Sequence, residues 1–454
     1  IAKKCSSSSF NIFKQMNKVI AVADASSSSN ASDAFKQQLA IKVLSGGATN
    51  YSYKVFVKEK PELCVFAKLS FEFDLWNLDS DSHYDLERTE NEFQIMQTFS
   101  MLRPEFVATP LYCLDLVEED QNMKLLITEW AKGDEQFANQ FIDGTIDERI
   151  APKLADACAT LHSFENFDPD FNQNVKPCME NLFELMKSRT IEACTTEKSQ
   201  NRTQAFCRDL GEDLVMKFIN ANITNCHKRG CLVHSDFHVF NLLVEAKPSI
   251  RELENFGPNG GLTICDWEMA FVGPIGRDIG LAQSFPIGCM IAHAFGGNLA
   301  GTYNIECFLD SLWDNYSLAL EKMGKTPSEM AKIHRNIVGY CGWFMYIAFY
   351  ILQAQVEFFP IESTSGEQLE EMIDSMGILG LKFIRFGFDH DYRSVLVTTD
   401  ELQSHYKGLI KEEVDRAYQI HSQSKRTLNA SQSSALRVSG RRFSDADMFF
   451  SPLD

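Results

Sequence analysis

The chain has 454 residues, of which 44% are hydrophobic and 23% are charged. This length is too great for one compact core and predicts two lobes of ordinary domain size. The net charge of −19 disfavours nucleic acid and anionic membrane surfaces as binding partners.

The cysteines and the first residues bear on the cellular compartment. The 13 Cys include no C-x-x-C pair, which argues against a zinc ribbon or a redox dithiol. Several, such as Cys64 and Cys265, lie in apolar sequence, and reduced core thiols of this kind predict a cytoplasmic protein. The first residues lack the long apolar region of a secretory signal, although their Ser-rich, acid-poor composition leaves a weak targeting segment open.

The first part of the chain is predicted to contain a small sheet. Residues 1–35 include two Ser runs and are predicted to be disordered. Residues 36–130 are predicted to form an N-lobe built on an antiparallel meander. Its predicted elements are, in order, a strand ending at 44, a glycine turn at 45–48, strands at 51–57 and 63–69, a helix at 85–99 and a strand at 125–128.

Residues 131–420 are predicted to form a larger, mostly helical C-lobe. An amphipathic helix is predicted at 151–164, and a strand–loop–strand region interrupts the helices at 231–266. The uncharged run 337–352 is shorter than the ~20 residues of a membrane span and predicts a buried helix, with a membrane contact as the alternative. Residues 421–454 are Ser-rich and basic and predict a disordered tail, in which Ser444 follows two arginines as a candidate phosphorylation site.

The most informative stretch is the polar loop at 234–241, which lies between the apolar pairs 232–233 and 242–243. Transfer of a phosphoryl group to a hydroxyl needs a carboxylate that orients the hydroxyl and accepts its proton, with an oxygen ligand for magnesium nearby. Asp236 is followed five residues later by Asn241 and preceded by His234, which is the spacing of a kinase catalytic loop. The pattern therefore predicts Asp236 as the catalytic base.

A second group of acidic residues follows the apolar segment 262–265. Asp266 stands at the end of this predicted strand, and Glu268 points to the same side two residues later. Carboxylates in this place can hold the magnesium ion that bridges ATP phosphates. A Gly-Pro turn follows, and Asp278 is expected to cap the next helix.

These motifs resemble the aminoglycoside phosphotransferase and choline kinase superfamily, and the segment 266–280 resembles the methylthioribose kinases of methionine salvage. The likeness covers roughly residues 40–390. It implies an α+β, bilobal protein-kinase-like fold with a small antiparallel-sheet N-lobe and a larger, mainly helical C-lobe. It also implies that Asp236 is the base and that Asn241, Asp266 and Glu268 are the magnesium-site candidates.

The N-lobe supplies the nucleotide-binding candidates. The turn that contains Gly46, Gly47 and Asn50 can lie over phosphates through its backbone N–H groups. Lys68 falls in a buried-looking strand, where its charge needs ATP phosphates and a helix carboxylate. Glu92 is the expected carboxylate, with Glu90 as the alternative.

The segment 127–131 resembles the hinge of these kinases, where backbone groups of Glu129 and Ala131 would meet adenine. ATP and Mg²⁺ are therefore the expected cofactors. We expect Lys68, Asp236 and the magnesium ligands to converge on one metal-bound triphosphate.

Several of these residues also have structural explanations. His234 and His238 are expected to hold the catalytic loop by hydrogen bonds rather than to bind a metal. Trp267 is expected to be a core residue. Arg277 is a substrate candidate that could steer phosphate. A role in a surface salt bridge would account for an arginine at this position about as well.

The acceptor is the least determined part of the prediction. The segment 380–386 resembles a region where methylthioribose kinases carry two adjacent arginines; here Arg385 matches and Phe386 replaces the second. Asn241 also stands where that subfamily tends to have Ser. The acceptor is therefore methylthioribose, another sugar, an aminoglycoside, or an amino alcohol such as choline or ethanolamine.

Two other functions are less compatible with the motifs. H-S-D and D-W-E replace the H-R-D and D-F-G of protein kinases, and no A-P-E follows, which disfavours protein phosphorylation. A non-catalytic nucleotide-binding scaffold is disfavoured because Lys68, Asp236, Asn241 and Asp266 are all present. The family likeness also allows a homodimer.

Overall fold

In the computed structural model, the described residues are 39–44, 50–72, 85–118, 121–133, 135–164, 168, 171–172, 176–195, 201–228, 230–245, 261–360, 366–388 and 398–430. They form two compact units. The described residues of 39–97 and 108–131 form the N-lobe, and those of 98–107 and 132–430 form the C-lobe. The predicted α+β fold, with an antiparallel sheet in the small lobe and mainly helices in the large one, is confirmed.

The N-lobe contains one five-stranded antiparallel sheet in the order β1-β2-β3-β5-β4. Its strands are β1 (Leu39–Leu44), β2 (Asn50–Val57), β3 (Lys60–Phe71), β4 (Pro110–Glu118) and β5 (Gln121–Glu129). One face is a hydrophobic cluster to which β3 contributes Ala67 and Leu69. Because side chains alternate along a strand, Lys68 lies on the opposite face from these two residues.

The predicted helix of the N-lobe is present as α1 (Glu87–Leu102). Its buried residues include Glu92, Ile95, Met96 and Phe99, which recur at the helical spacing of three and four. The predicted strand at 125–128 is confirmed as the second half of β5.

The C-lobe contains two small antiparallel sheets, which carry the strand–loop–strand region predicted at 231–266. In the first sheet, β8 lies between β6 and β9, and in the second β7 pairs with β10. The strands are β6 (Glu135–Gln136), β7 (Cys231–Val233), β8 (Leu242–Val244), β9 (Leu262–Ile264) and β10 (Phe271–Gly273).

Helices form the rest of the C-lobe. They are α2 (Phe137–Asp143), α3 (Ile150–His162), α4 (Lys176–Thr195), α5 (Arg202–Leu210), α6 (Glu212–Cys226), α7 (Arg277–Gly296), α8 (Leu299–Lys322), α9 (Pro327–Phe344), α10 (Gly366–Phe388) and α11 (Thr399–Ala430). The amphipathic helix predicted at 151–164 is confirmed as α3. The predicted end of the lobe at residue 420 lies inside α11, which continues to Ala430.

The apolar run 337–352 is largely buried, as predicted, but it is not one regular helix. It comprises the end of α9 and a π-helix at Met345–Ile351. Among the described residues, α7 alone has the length and apolar character of a membrane-spanning helix, and 94% of its apolar window is buried in the lobe. Burial of this extent is the environment of a core helix.

Candidate active site

Lys68 and Glu92 form a buried ion pair in the N-lobe. Lys68 Nζ donates to Glu92 Oε2 at 2.9 Å, and the two side chains are 6% and 3% exposed. β3 supplies the lysine and α1 the carboxylate, so the structure brings together the two residues that the sequence pairs. The alternative carboxylate, Glu90, instead accepts from Lys124 Nζ at 3.3 Å. A buried cation needs such a partner, and the role of Lys68 toward phosphates stays a prediction.

The other nucleotide candidates of the N-lobe are placed less completely. Gly46 and Gly47 lie outside the described residues. Asn50 is buried at the start of β2, and its Oδ1 accepts from Arg88 Nη2 at 3.2 Å. Glu129 is exposed at the end of β5, and Ala131 is half-buried just beyond it.

The backbone of Glu129 is partly engaged within the lobe. Its N–H donates to the Thr109 carbonyl at 2.9 Å, and its carbonyl accepts from Thr128 Oγ1 at 2.8 Å. A carbonyl oxygen retains a second lone pair, which an adenine amino group could still use. The predicted adenine contact stays a prediction.

In the C-lobe, Asn241 orients Asp236. Asn241 Nδ2 donates to the Asp236 carbonyl at 2.9 Å and to Asp236 Oδ2 at 3.0 Å. His238 Nε2 lies 3.4 Å from the other carboxylate oxygen. The Asp236 side chain is 35% exposed, so it is held in place and still open to another molecule.

The neighbours of Asp236 favour its ionised form. Partial burial by itself would raise the pKa of this carboxyl, but the imidazoles of His238 and His234 and the Asn241 amide outweigh it and hold the pKa well below its ordinary value. Conversely, burial lowers the pKa of His238, while the nearby Asp236 carboxylate outweighs that effect and raises it. Asp236 is therefore an anion throughout the neutral range.

The metal candidates are brought close by the pairing of β8 with β9. Leu242 pairs with Ile264, so Asn241 just before β8 lies next to Cys265 just after β9, and Cys265 N–H donates to the Asn241 carbonyl at 2.9 Å. Asp266 follows in the left-handed region, with φ 64° and ψ 60°, and Glu268 lies in the 3₁₀ turn Trp267–Met269. Local backbone pairing thus gathers three oxygen-bearing side chains.

This donor set fits magnesium. One carboxylate oxygen of Asp266 lies within 4.8 Å of one carboxylate oxygen of Glu268. Oxygens on opposite sides of an octahedral magnesium, each at about 2.1 Å, are about 4.2 Å apart. Because the amide nitrogen of Asn241 donates to Asp236, its Oδ1 is the atom suited to ligate a metal. All three donors are hard oxygens, which magnesium prefers.

Asp278 has a different role from the one expected. The N-cap of α7 is Gly276, and no side chain caps this helix. The fully buried Asp278 carboxylate instead accepts from two backbone N–H groups of the catalytic loop: His234 at 2.9 Å and Ser235 at 2.8 Å. The expectation of a helix cap was wrong, because Asp278 lies inside the first turn of α7, after the N-cap residue, and its carboxylate is used by the catalytic loop.

A buried chain of hydrogen bonds continues from Asp278 through His162 to Tyr316. His162 Nε2 lies 3.1 Å from Asp278 Oδ2, and His162 Nδ1 lies 2.7 Å from Tyr316 Oη. The carboxylate can only accept, so His162 Nε2 carries the hydrogen and Nδ1 accepts from the tyrosine hydroxyl. Burial raises the pKa of Tyr316 well above its ordinary value, which keeps that hydroxyl protonated.

His162 and Tyr316 were missed from the sequence. One signal was present: His162 stands beside Leu161 in the buried part of an amphipathic helix, where a polar side chain needs a partner. Asn172 was missed as well. Its Nδ2 donates to the carbonyls of Glu268 at 3.1 Å and Ala270 at 2.7 Å and so holds the metal-candidate turn, but no motif surrounds it in the sequence.

Arg277 is buried, so the surface salt bridge considered for it is wrong. Its Nε donates to the Ser235 carbonyl at 3.3 Å and to Ser235 Oγ at 3.2 Å, and its guanidinium lies 4.9 Å from the ring centre of Trp343. These contacts hold Ser235 in the left-handed region at φ 71°. The second substrate candidate, Arg385, lies half-buried near the end of α10.

The two aromatic residues beside Asp236 and Asp266 are structural, in agreement with the predictions for them. Trp267 is fully buried and its Nε1 donates to the Ile264 carbonyl at 2.9 Å. The His234 ring lies 4.7 Å from the Trp267 ring, and its Nε2 donates to the Cys265 carbonyl at 2.9 Å. His234 thereby joins the catalytic loop to the strand that precedes Asp266.

Residues 40–304 match the model of the phosphotransferase enzyme family. The chain belongs to this family. The match covers more than half of the sequence and includes every catalytic and metal candidate, so the prediction of a phosphotransferase is confirmed. No curated protein matches the chain closely enough to count as a relative.

Solved structures of three kinases resemble this phosphotransferase at low identity. A thermostable mutant of an aminoglycoside phosphotransferase, bound to AMP-PNP and hygromycin B, is 12% identical, with 75% of this chain and 93% of that chain covered and a TM-score of 0.37. A glucosamine kinase with glucosamine, ADP and phosphate is 11% identical, with 79% and 80% covered and a TM-score of 0.38. Choline kinase from Cryptosporidium parvum Iowa II is 11% identical, with 84% and 92% covered and a TM-score of 0.31.

Proposed function

We propose that this phosphotransferase moves the γ-phosphate of ATP to a hydroxyl of a small metabolite, S-methyl-5-thioribose or a similar sugar. The observation that carries the proposal is the pair Asp236 and Asn241. The Asn241 amide donates one hydrogen bond to the Asp236 carboxylate and one to the Asp236 backbone carbonyl, and the carboxylate is ionised and partly exposed. This is the arrangement that transfer to a hydroxyl requires.

Asp236 accepts a hydrogen bond from the acceptor hydroxyl and aims its oxygen at phosphorus. Because the pKa of Asp236 is low, the carboxylate is a weak base toward a free alcohol. It takes the proton only as the new O–P bond forms and the hydroxyl becomes acidic. Positioning of the hydroxyl is thus the main contribution of this residue.

The cofactor roles follow from the donor atoms. Asn241 Oδ1 and the carboxylates of Asp266 and Glu268 would hold magnesium. Magnesium held there would neutralise charge on the β- and γ-phosphates during transfer. Lys68, kept in place by Glu92, would hold phosphate oxygens as a point charge.

A small acceptor is favoured over a protein by the chain that follows Glu268. β10 begins at Phe271 and pairs at once with β7, and α7 begins at Arg277. The few residues between them form a short turn, so no activation segment is present at this point of the C-lobe. A peptide acceptor would need such a platform.

A choline-, ethanolamine- or aminoglycoside-type acceptor is the second candidate. Asn241 and Phe386 favour it, because both differ from the residues expected of a methylthioribose kinase. The acidic composition of the chain is also compatible with cationic acceptors.

Coupled ADP release would test the proposal on methylthioribose, choline, ethanolamine, aminoglycosides and simple sugars. We expect acceptor-dependent turnover with at least one of them, and a loss of about 10²–10⁴-fold in kcat for Asp236→Asn. Asp415→Asn is the control, because that side chain is 53% exposed on α11. Full turnover by Asp236→Asn would overturn the mechanism, and nucleotide binding without any turnover would favour a scaffold.

A further inference from the structure

Half-buried aromatic rings lie beside the catalytic loop in the C-lobe. The His238 ring is 5.9 Å from Phe240 and 6.2 Å from Phe344, measured between ring centres. Phe240 lies in turn 5.6 Å from Phe358. All three phenylalanines are half-buried. One imidazole ring separates them from the carboxylate of Asp236.

A second layer of rings supports the first. Phe285, Phe349 and Phe359 are buried, and Phe285 and Phe359 stack at 5.0 Å. Phe240 meets Phe285 edge-on at 4.7 Å, and Phe344 meets Phe349 edge-on at 5.7 Å. The half-buried rings therefore rest on a rigid base, which is what a shaped binding surface requires.

The backbone that carries Phe344 and Phe358 is irregular. The π-helix Met345–Ile351 separates the two rings, and Gln353 and Gln355 follow with φ of 50° and 63°. π-helical turns and left-handed non-glycine residues cost free energy and concentrate at functional sites. If α9 continued as a regular α-helix, the residues after Phe344 would point in other directions. The π-helix and the two left-handed glutamines therefore determine where Phe358 lies.

The small number of charged residues in 344–360 limits what the half-buried phenylalanine rings can bind. Residues 344–360 contain a single charged side chain, Glu357, which is exposed, and no lysine or arginine. Residues 344–360 therefore offer no lysine or arginine as a counter-ion to an acceptor that carries a phosphate or carboxylate. Phenylalanine also gives a weaker cation–π surface than tryptophan. The rings are best suited to an uncharged alkyl, aryl or thioether group.

We propose that Phe240, Phe344 and Phe358 form an acceptor subsite, and that the acceptor is an alcohol bearing an uncharged apolar substituent. The inference rests on the proposed function, because it places the substituent beside the hydroxyl that Asp236 orients. His238 lies between the two and spaces the reacting hydroxyl from the apolar group.

Pairs of acceptors that differ in one apolar or charged group test which class of acceptor the subsite binds. Methylthioribose differs from ribose by its methylthio group, and 3,3-dimethyl-1-butanol is the uncharged analogue of choline. We expect kcat/KM for methylthioribose to exceed that for ribose by about tenfold or more, and dimethylbutanol to be at least as good as choline. Equal use of ribose and methylthioribose, or a tenfold preference for choline over dimethylbutanol, would overturn the proposal.

Variants test the residues. Phe344→Ala should lower kcat/KM for methylthioribose about tenfold and leave ribose within twofold, while Phe344→Leu should keep most of the preference. Phe358→Ala provides a second variant if Phe344→Ala does not fold, as judged by its melting temperature. Tyr303→Ala is the control, since this aromatic residue is 65% exposed on α8. An equal loss with both sugars would show a structural effect and reject the subsite.

Acceptor binding measured in the absence of ATP distinguishes a failure of this inference from a failure of the proposed function. Ligand-detected NMR on the wild-type protein without ATP should show the same preferences for methylthioribose over ribose and for dimethylbutanol over ethanol. If no acceptor is phosphorylated but these preferences hold and Phe344→Ala removes them, the subsite stands and the proposed reaction fails. If methylthioribose binds no better than ribose and dimethylbutanol binds no better than ethanol, the subsite is rejected whatever the turnover.

Discussion

The carboxylate of Asp278 is hydrogen-bonded to the backbone of Ser235, with 2.8 Å between Asp278 Oδ1 and Ser235 N. The same carboxylate accepts from the His234 N–H at 2.9 Å, so one buried side chain on α7 holds two consecutive amides just before Asp236. Arg277, its neighbour in the chain, holds the Ser235 carbonyl from the same helix. The position of the proposed base is therefore determined by the first turn of α7.

Asp278→Asn should weaken both the fold and the reaction. The amide can accept one of the two N–H groups but presents its own N–H to the other, which leaves a buried donor unsatisfied. We expect the free energy of unfolding to fall by about 1–3 kcal/mol and kcat to fall more than the KM for ATP rises. Urea denaturation and steady-state kinetics would measure these quantities.

Asp415→Asn is the matched control for that substitution. Its carboxylate is 53% exposed and pairs with Lys411 on the surface of α11, so its loss should change stability by less than about 1 kcal/mol. Equal stabilities and rates for Asp278→Asn and Asp415→Asn would show that the hydrogen bonds of Asp278 do not position the loop.

The contribution of Asp278 should depend on pH. Burial alone would raise the pKa of this carboxyl, but the hydrogen bond from His162, followed by the interactions with His234, outweighs burial and holds the pKa below its ordinary value. A depressed pKa in the folded state adds stability that is complete above the unfolded pKa of about 3.9 and is lost as pH falls through the folded value. The stability difference between wild type and Asp278→Asn should therefore be constant from pH 7 to about 5 and narrow below that. A difference that widens on acidification would contradict the assigned direction.

Lys68 and Glu92 should behave as one unit in a double-mutant cycle. Each is almost fully buried, so Lys68→Met or Glu92→Gln alone removes the opposite charge 2.9 Å from the remaining one and should cost about 3–5 kcal/mol of stability. The double variant removes both charges and should be more stable than the sum of the single effects predicts, while the KM for ATP stays raised. Chemical denaturation of the four proteins gives the coupling energy.

The surface pair Lys411 and Asp415 supplies the comparison for this cycle. Both side chains are largely exposed, and their coupling should stay below about 1 kcal/mol. A coupling between Lys68 and Glu92 no larger than this would mean that the buried contact has little energetic significance.

The parts of the site that sequence analysis predicted are those set by local spacing. Asp236 and Asn241 are five residues apart in one loop between two short strands, so their contact follows from the loop itself. Lys68 was identifiable because it falls in an apolar strand, where a charge needs a partner. The helix that carries Glu92 was evident from its apolar periodicity.

The parts that could not be predicted depend on contacts between distant residues. Ser235 and Asp278 are 43 residues apart in the chain, and His162 and Asp278 are 116 apart. Neither periodicity nor turn chemistry carries information over such separations. The first turn of α7 was interpreted locally as a helix cap for the same reason, and the π-helix after Phe344 was not anticipated because its composition matches that of any buried helix.

Asp266→Asn should raise the magnesium concentration that the reaction requires. The side chain lies in the left-handed region after β9, with a carboxylate oxygen within 4.8 Å of one on Glu268. The substitution keeps the shape and removes one negative charge, so the affinity for a hard divalent cation should fall by about 10–100-fold. Activity measured against free Mg²⁺ at saturating ATP, together with Mn²⁺ binding followed by electron paramagnetic resonance, would report it. Asp415→Asn should leave both curves unchanged, and an Asp266→Asn protein with the wild-type magnesium dependence would show that this carboxylate is not a ligand.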